Sequence, residues 1–482
     1  MDFRLLAALW GRVACALSLA LLLPLLLAVY DHETDFLAFA ATLGVSLLTG
    51  CVLCRTGSRE RDWLRVREGI LFTVGGCLML ALLGMLPYVL CGLRFIDSFF
   101  ESVSGFTGTG ATVVPSLAVL PDALVFWRCF THWLGGFFII AMFSSVLPQI
   151  GCGDELSSGA PAWHTMRCRL PQAGRHALSL FILYALFTFL VTFSYMLCGL
   201  DFTDAAGHAF STVSTGGFSM YDENVRFFDN PMLEFCMVVF MLIAGGNFAL
   251  YRQVYKRGWR VMRVNTELRA YVLLLGAIGL FMTVNLISAM GMEPVEAVRY
   301  AIFQEVSIST TTGFFSADFS DWPQFSQGCL LLLMLIGGCS GSSAGGLRVI
   351  RVVLLVKLMY WIVWQKLHPQ SPVAVHMNGY VLPERVLFSV GRFFFMFIML
   401  CAFWSLLLTL DGVPLLDALA IAASAMSGAG PALGIASPAA TYAALPDFSK
   451  AVSCAAMLFG RLELFPFFVL FWPEFWQRKR GW

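Results

Sequence analysis

Charge is what this chain has least of. Only 13% of its 482 residues are charged, against about 25% in a typical soluble domain, while 59% are hydrophobic. So few charges cannot cover the surface of a soluble protein of this size, which excludes soluble enzymes and nucleic-acid binders. Metal-ligand spacing is also missing. Cys51 and Cys54 form a CxxC, but no second pair or nearby His completes a site. The 14 cysteines scatter mostly through apolar runs and read as packed or lipid-facing thiols. No nucleotide-binding motif is present, so no bound organic cofactor is expected.

What is abundant is apolar sequence in lengths of about 20 residues, enough to cross a bilayer as a helix. Ten such spans are expected, at 13–30, 36–54, 70–92, 123–150, 176–200, 232–250, 270–291, 327–356, 387–410 and 446–473. The first has signal-peptide character, with Arg4 and Arg12 before a Leu-rich core. Its length and the span that follows at once favour a retained helix. Ten spans put both termini on one side. Arg4, Arg12, the run Arg55 to Arg67, Arg167 to Arg175, Arg252 to Arg269, Lys357, Lys366, Arg385 and the tail Arg478-Lys479-Arg480 share that side. Arg94, Arg226, Arg299 and Lys450 fall opposite. The positive-inside rule makes the first side cytoplasmic. Arg128, Arg348, Arg351, Arg392 and Arg461 lie in or beside spans, where a charge is a functional candidate by default.

Four of the outer connections repeat one pattern. SFFESVSGFTGTG ends at Gly110, AAGHAFSTVSTGG at Gly217, YAIFQEVSISTTTG at Gly313 and ALAIAASAMSGAG at Gly430. Six residues before each glycine stands Ser104, Ser211, Ser307 or Ser424. Three before it stands Thr107, Ser214, Thr310 or Ser427. Thirteen before it stand Asp97, Asp204 and Asp417, with Tyr300 the exception. The aspartate is expected to N-cap a short helix that dips into the membrane from outside. The glycine-bearing stretch then returns in extended form. Non-helical backbone survives at membrane depth only when buried in protein or lining a water-filled path. Four such stretches around one axis would replace an ion's hydration shell with backbone carbonyls. Glycine permits the dihedrals that aim successive carbonyls at the axis.

Span, pore helix, glycine turn and span, four times over, resemble the Trk/Ktr/HKT superfamily of potassium transporters, and within it the bacterial TrkH/TrkG group. SVSGFTGTGAT (102–112), STVSTGGFS (211–219), FQEVSISTTTGF (303–314), LIGGCSGSSAGGLRVIR (335–351) and MLFGRLELF (457–465) carry the resemblance. MDFR at the start and Leu382-Pro383-Glu384-Arg385-Val386 add to it. It implies an all-α polytopic membrane protein, with two N-terminal helices followed by four helix–pore loop–helix repeats around one ion pathway. The divisions are then 1–68 for the N-terminal pair, and 69–160, 161–265, 266–370 and 371–482 for the repeats.

The resemblance also implies a filter at Gly108-Thr109-Gly110, Thr215-Gly216-Gly217, Thr311-Thr312-Gly313 and Gly428-Ala429-Gly430. Gly108 stands where the family usually has Thr, and Gly428 where it has Asn. In plant members a Ser at the first-repeat glycine goes with sodium transport; Gly110 is intact, so K+ is the expected ion. Further implications are potassium uptake into bacteria through the inner membrane with both termini cytoplasmic, a homodimer, and a cytosolic ring of TrkA-like nucleotide-binding subunits on the basic loops.

Span 327–356 is interrupted by Gly337-Gly338-Cys339-Ser340-Gly341-Ser342-Ser343-Ala344-Gly345-Gly346, too rich in Gly and Ser for a good helix. The preferred reading is a flexible loop in the ion path. The resemblance makes it a gate, and makes Arg461 an arginine projecting into the pore below the filter. A structural contact of Arg461 with Glu463 or with backbone is the plainer alternative. Gly338-Cys339-Ser340-Gly341 also matches the GxSG of intramembrane serine proteases, for which His132, well inside a span, is the available base. That reading leaves the fourfold repeat unexplained. Within the transport class, a proton- or sodium-coupled symporter is the alternative to a channel-like carrier. Glu101 and Glu463 are the main intramembrane carboxylates read for a proton relay. Glu101, His208 and Gln304, each nine before its glycine, lie on the pore helices, where they either favour cations or pack. The pairs Gly135-Gly136, Gly245-Gly246 and Gly337-Gly338 read as close helix packing.

Overall fold

A computed structural model of the chain describes residues 1–30, 35–57, 61–145, 167–368, 375–378, 380–438 and 440–477. The end of the expected 123–150 span, the divisions at 160/161 and 370/371 and the basic tail Arg478-Lys479-Arg480 lie outside them.

The N-terminal pair is built from Phe3–Ala20, continued after Leu21 by Leu22–Tyr30, and from Phe36–Thr56. Asp2 caps the first helix, its carboxylate accepting from the Leu5 amide. The two helices meet through a reciprocal Gly-x-x-x-Cys motif. A Cβ on Gly11 would stand 2.7 Å from Cys54 Sγ, and one on Gly50 would stand 3.0 Å from the Cys15 amide. Small residues four apart let the backbones approach, and Cys51 and Cys54 of the CxxC are both exposed.

Four repeats follow. In the first, Val66–Gly84 with Leu86–Leu90 leads to the pore helix Phe95–Thr107 and then to Asp122–Ser145. In the second, Leu170–Leu197 leads to Phe202–Ser214 and Pro231–Ala244. The third runs Thr266–Met290, Pro294–Ser309, Gln324–Ile336 and, beyond an interruption, Val349–Leu367. The fourth runs Glu384–Thr409, Leu415–Ser427 and Asp447–Arg461, which bends by 111° into Phe465–Phe471. The fold is all-α; the described strands are two short ribbons, one of which pairs Trp63–Arg65 with Arg167–Arg169.

Ten full spans were expected. Among the described residues seven helices are long and apolar enough to cross a membrane, and the bent pair makes eight. The other two expected spans are broken. Gly245-Gly246 ends 232–250 early, and Asn247 then caps Phe248–Arg257 by accepting from the Leu250 amide. Gly337, at φ +71°, ends the helix inside 327–356. In both places glycine removes the helical preference where another backbone passes close.

The aspartates do not N-cap the pore helices. Arg94, Asp201, Glu293 and Pro414 hold the cap positions, and Asp97, Asp204 and Asp417 stand at the third residue of the first turn. There a carboxylate still complements the positive end of the helix dipole. Tyr300 ceases to be an exception in this frame. The third pore helix begins one turn earlier than the others, and Glu296 fills its third position.

Because the N-terminal helices touch through backbone, added bulk in that seam must cost stability. Gly50→Val should destabilise the solubilised protein by about 1–3 kcal/mol, as overpacking does. Its thermal midpoint in detergent should fall, whereas Gly44→Val, where a Cβ meets nothing within 4 Å, should leave it unchanged.

Candidate functional site

The four glycine stretches share one backbone. Gly108, Thr215 and Gly428 follow their pore helices in the left-handed region, at φ +66°, +55° and +73°, and Thr311 does so at +54°. Two residues on, Gly110, Gly217, Gly313 and Gly430 lie between +80° and +86°. The amide between them bonds back in every repeat. The N–H of Thr109, Gly216, Thr312 and Ala429 donates to the carbonyl of Ser104, Ser211, Ser307 and Ser424, at 2.8–3.1 Å. These bonds use the backbone carbonyl of the recurring serine, so they fix the turn without accounting for the serine side chain. Gly108 and Gly428 take the left-handed geometry without the cost a side chain brings, whereas Thr215 and Thr311 adopt it with one.

Hydroxyls tie these turns to their helices. Thr107, Ser214, Thr310 and Ser427 each donate to the carbonyl four residues back, at 2.6–2.8 Å. Thr107 and Thr310 also lie 2.8 and 2.7 Å from the hydroxyls of Thr109 and Thr312. Ser307 donates to Phe314 O at 2.6 Å, and Ser424 to Gly430 O at 2.9 Å.

The repeats close into a ring through these glycines. A Cβ on Gly110 would collide with Gly216 O, one on Gly217 with Thr312 O, one on Gly313 with Ala429 O, and one on Gly430 with Thr109 O. Each repeat thus abuts the next, and the fourth abuts the first. Two outer contacts help close that last junction: the Tyr442 amide donates to Thr112 O at 2.8 Å, and Lys450 reaches Asp97 at 2.7 Å. On the outer side all four glycines line one cavity of about 340 Å3, with Asp222, Glu223, Asp318 and Arg226 on its wall.

On the inner side the 337–346 loop lies directly against the ring. The Gly345 amide donates to Thr311 Oγ1 at 2.9 Å, and Thr215 Oγ1 donates to Ser343 Oγ at 3.2 Å. A Cβ on Gly345 would collide with Ser427 O. The loop's flank is pinned to the second repeat, with the Cys339 amide donating to Gly245 O and the Phe248 amide to Gly341 O. Glu267 accepts from the Ser340 amide at 2.5 Å. Of the expected gate residues, Gly337, Gly341 and Gly346 take positive φ, and Gly338 packs on Gly245 O.

Arg461 ends its helix at the bend, with its guanidinium buried beneath the ring. A Cβ on Gly108 would stand 3.3 Å from its Nη2; one on Gly345 would stand 3.7 Å, and one on Gly428 4.0 Å, from its Nη1. Among the described residues none of its three side-chain nitrogens has a hydrogen-bond partner. The Arg461–Glu463 contact is not made. Glu463 instead pairs with Arg348 at 2.8 Å and Arg351 at 3.0 Å.

Of the other singled-out polar side chains, Arg128, Glu101 and His208 have structural partners. Arg128 and Glu101 form a fully buried pair at 3.0 Å, and Thr112 Oγ1 bonds both. His208 bridges Asp204 O and Ser219 Oγ. Gln304 is buried with neither side-chain atom bonded among the described residues. Arg392 is exposed, and its Nε lies 3.4 Å from Phe388 O of its own helix. His132 fills the space behind Gly216 and packs on Phe218 at 4.1 Å, while Ser340 is held by Glu267. Sequence reasoning missed the grip of Thr215 and Thr311 on the loop. Its only signal was that these two first positions carry a hydroxyl where the other two carry glycine.

The glycine pairs pack as expected at Gly135, where a Cβ would strike Phe106 O, and Gly245, which backs the Thr310 side chain. Gly460 does the same against Met426 O.

Comparison with known proteins agrees with this architecture. Residues 64–478 match the family model described as TrkH, cation transport protein. A Trk system potassium uptake protein TrkH from Halomonas elongata is 33% identical, across 99% of this chain and all of that protein. The TrkG protein of Escherichia coli is 30% identical, with 97% of each covered. The crystal structure of the potassium transporter TrkH from Vibrio parahaemolyticus superposes with a TM-score of 0.91 at 32% identity, covering 99% of this chain and all of that one. These matches make the hydrolase reading of Gly338-Cys339-Ser340-Gly341 untenable, because the shared family transports ions. The chain belongs to the TrkH family of cation transport proteins.

Proposed function

We propose that this chain takes K+ into a bacterial cell across the inner membrane, through a filter made by Gly108-Thr109-Gly110, Thr215-Gly216-Gly217, Thr311-Thr312-Gly313 and Gly428-Ala429-Gly430. The observation that carries this reading is the closed ring of four glycine turns, each glycine seated against a carbonyl of the next repeat. Carbonyls so arranged replace the hydration shell of a weakly hydrated cation, and the membrane potential supplies about 2.3 kcal/mol per charge per 100 mV. The full-length relatives named above are potassium uptake proteins. The repeats divide as 69–160, 161–265, 266–370 and 371–482 behind the N-terminal pair 1–68.

Gating belongs to Arg461 and the loop containing Gly337, Gly338, Ser340, Gly341, Gly345 and Gly346. A guanidinium with no counter-ion among the described residues, just inside the ring, repels an entering cation, and the loop closes the same space. Thr215 and Thr311 latch that loop to the filter, so it leaves the path only when their hydroxyl bonds break. With its termini in the cytoplasm, the protein works as a homodimer and presents basic loops to a cytosolic TrkA-like ring that supplies nucleotide control. Coupled symport has one observation in its favour. Glu305, on the third pore helix, is a buried carboxylate behind Gly279, with one oxygen unbonded among the described residues. A current that reverses at the potassium potential whatever the pH or sodium gradient separates the channel reading from symport.

Expression in cells lacking potassium uptake should restore growth at low potassium, more strongly with a TrkA partner; no rescue in either condition overturns the proposal. Arg461→Ala should raise basal flux several-fold in vesicles without the partner, and shortening 337–346 should do the same. Gly110→Ser should lower the preference for K+ over Na+, measured as the flux ratio, because the added Cβ displaces Gly216 O.

A further inference from the structure

Two thiols meet away from the ion path. Cys198 caps the end of Leu170–Leu197, and Cys236 sits in the second turn of Pro231–Ala244, with their sulfurs 3.6 Å apart and both side chains partly exposed. Asn230 pins the two helix ends together. Its Nδ2 donates to Cys198 O at 3.0 Å, and its Oδ1 accepts from the amides of Met232 and Leu233. The pair brackets the second pore helix, the stretch Thr215–Gly217 and the segment that lines the outer cavity. It therefore lies at the pore-helix end of the two helices, on the side that the charge asymmetry places outside the cell.

The pairing is particular to the second repeat. The third repeat has Cys329 at the same position of its helix Gln324–Ile336, but Gly291 at the cap of Thr266–Met290. The scaffold thus does not require a thiol pair here, and Cys329 offers an internal control.

We propose that Cys198 and Cys236 are a thiol–disulfide site, oxidised by a disulfide-bearing oxidant in the compartment outside the inner membrane. One cysteine thiolate attacks a sulfur of the oxidant's disulfide and expels a thiolate, leaving a mixed disulfide. The second cysteine thiolate then attacks the protein sulfur of that bond and expels the other oxidant thiolate. The pair gives up two protons and two electrons, and the oxidant leaves as its dithiol. An S–S bond of about 2.05 Å needs the sulfurs, 3.6 Å apart, to close by about 1.5 Å. The crosslink ties residues 38 apart around one quarter of the filter and limits the freedom of the unfolded segment. The proposal rests on the orientation given under the proposed function.

The full-length protein in bacterial membranes tests it. After acid quenching, alkylation and digestion, mass spectrometry should find a Cys198–Cys236 linked peptide that reductant converts into two alkylated peptides, with Cys329 alkylated throughout. Reductant should lower the thermal midpoint of the wild type in detergent and leave a Cys198→Ser/Cys236→Ser variant unmoved. Full alkylation of both cysteines without reductant, even after treatment with a small disulfide oxidant, overturns the disulfide. A membrane-impermeant maleimide should label the reduced pair in intact cells. If only a permeant maleimide does so, the orientation fails, and the proposal fails with it for that distinguishable reason.

Discussion

Contact between one repeat's glycine and the next repeat's carbonyl is the constraint on which the rest of this structure depends. At Gly110, Gly217, Gly313 and Gly430 the backbone is left-handed and the space for a Cβ is already taken by a neighbouring oxygen. Each glycine is therefore required twice, by its own dihedral and by its neighbour's position. The amide bonded back to the serine carbonyl and the hydroxyl bonded to the preceding turn hold each stretch where its neighbour needs it. Four turns so joined form one rigid annulus, with the outer cavity above and the loop below.

Below the annulus the fourfold symmetry breaks into two and two. Thr215 and Thr311 use their hydroxyls to hold the loop, while Gly108 and Gly428 leave the space that the Arg461 guanidinium occupies. Charge pairing sharpens this division. Glu463 is shared by Arg348 and Arg351, and Glu101 is taken by Arg128, so the nearby carboxylates are already committed. An arginine buried without a counter-ion is costly in a low-dielectric interior. In the proposed function that cost is the source of the barrier, because the same uncompensated charge that burdens the closed state opposes an entering cation.

Much of the fold was legible in the sequence because the bilayer enforces it. Apolar length marks spans, basic residues mark sides, and a turn used four times leaves the same letters at the same offsets. The errors came where that reasoning is blind to chain direction or to neighbours. Asp97, Asp204 and Asp417 have the chemistry of a cap, yet they stand inside the first turn, and a pore helix one turn longer turned Tyr300 into a false exception. Spans 232–250 and 327–356 have the composition to cross, but their glycine pairs end the helices where another backbone passes.

By itself, then, the sequence determined membrane residence, the repeat and the four glycines, since these follow from burial, hydrophobic length and dihedral preference, which are local properties. Only the tertiary structure decided which groups face one another. It set Arg461 beneath Gly108, gave Glu463 to Arg348 and Arg351, joined Thr311 to Gly345 and brought Cys198 to Cys236. Such pairings link residues distant along the chain, and no local preference encodes them. They are fixed when the repeats close around a shared axis.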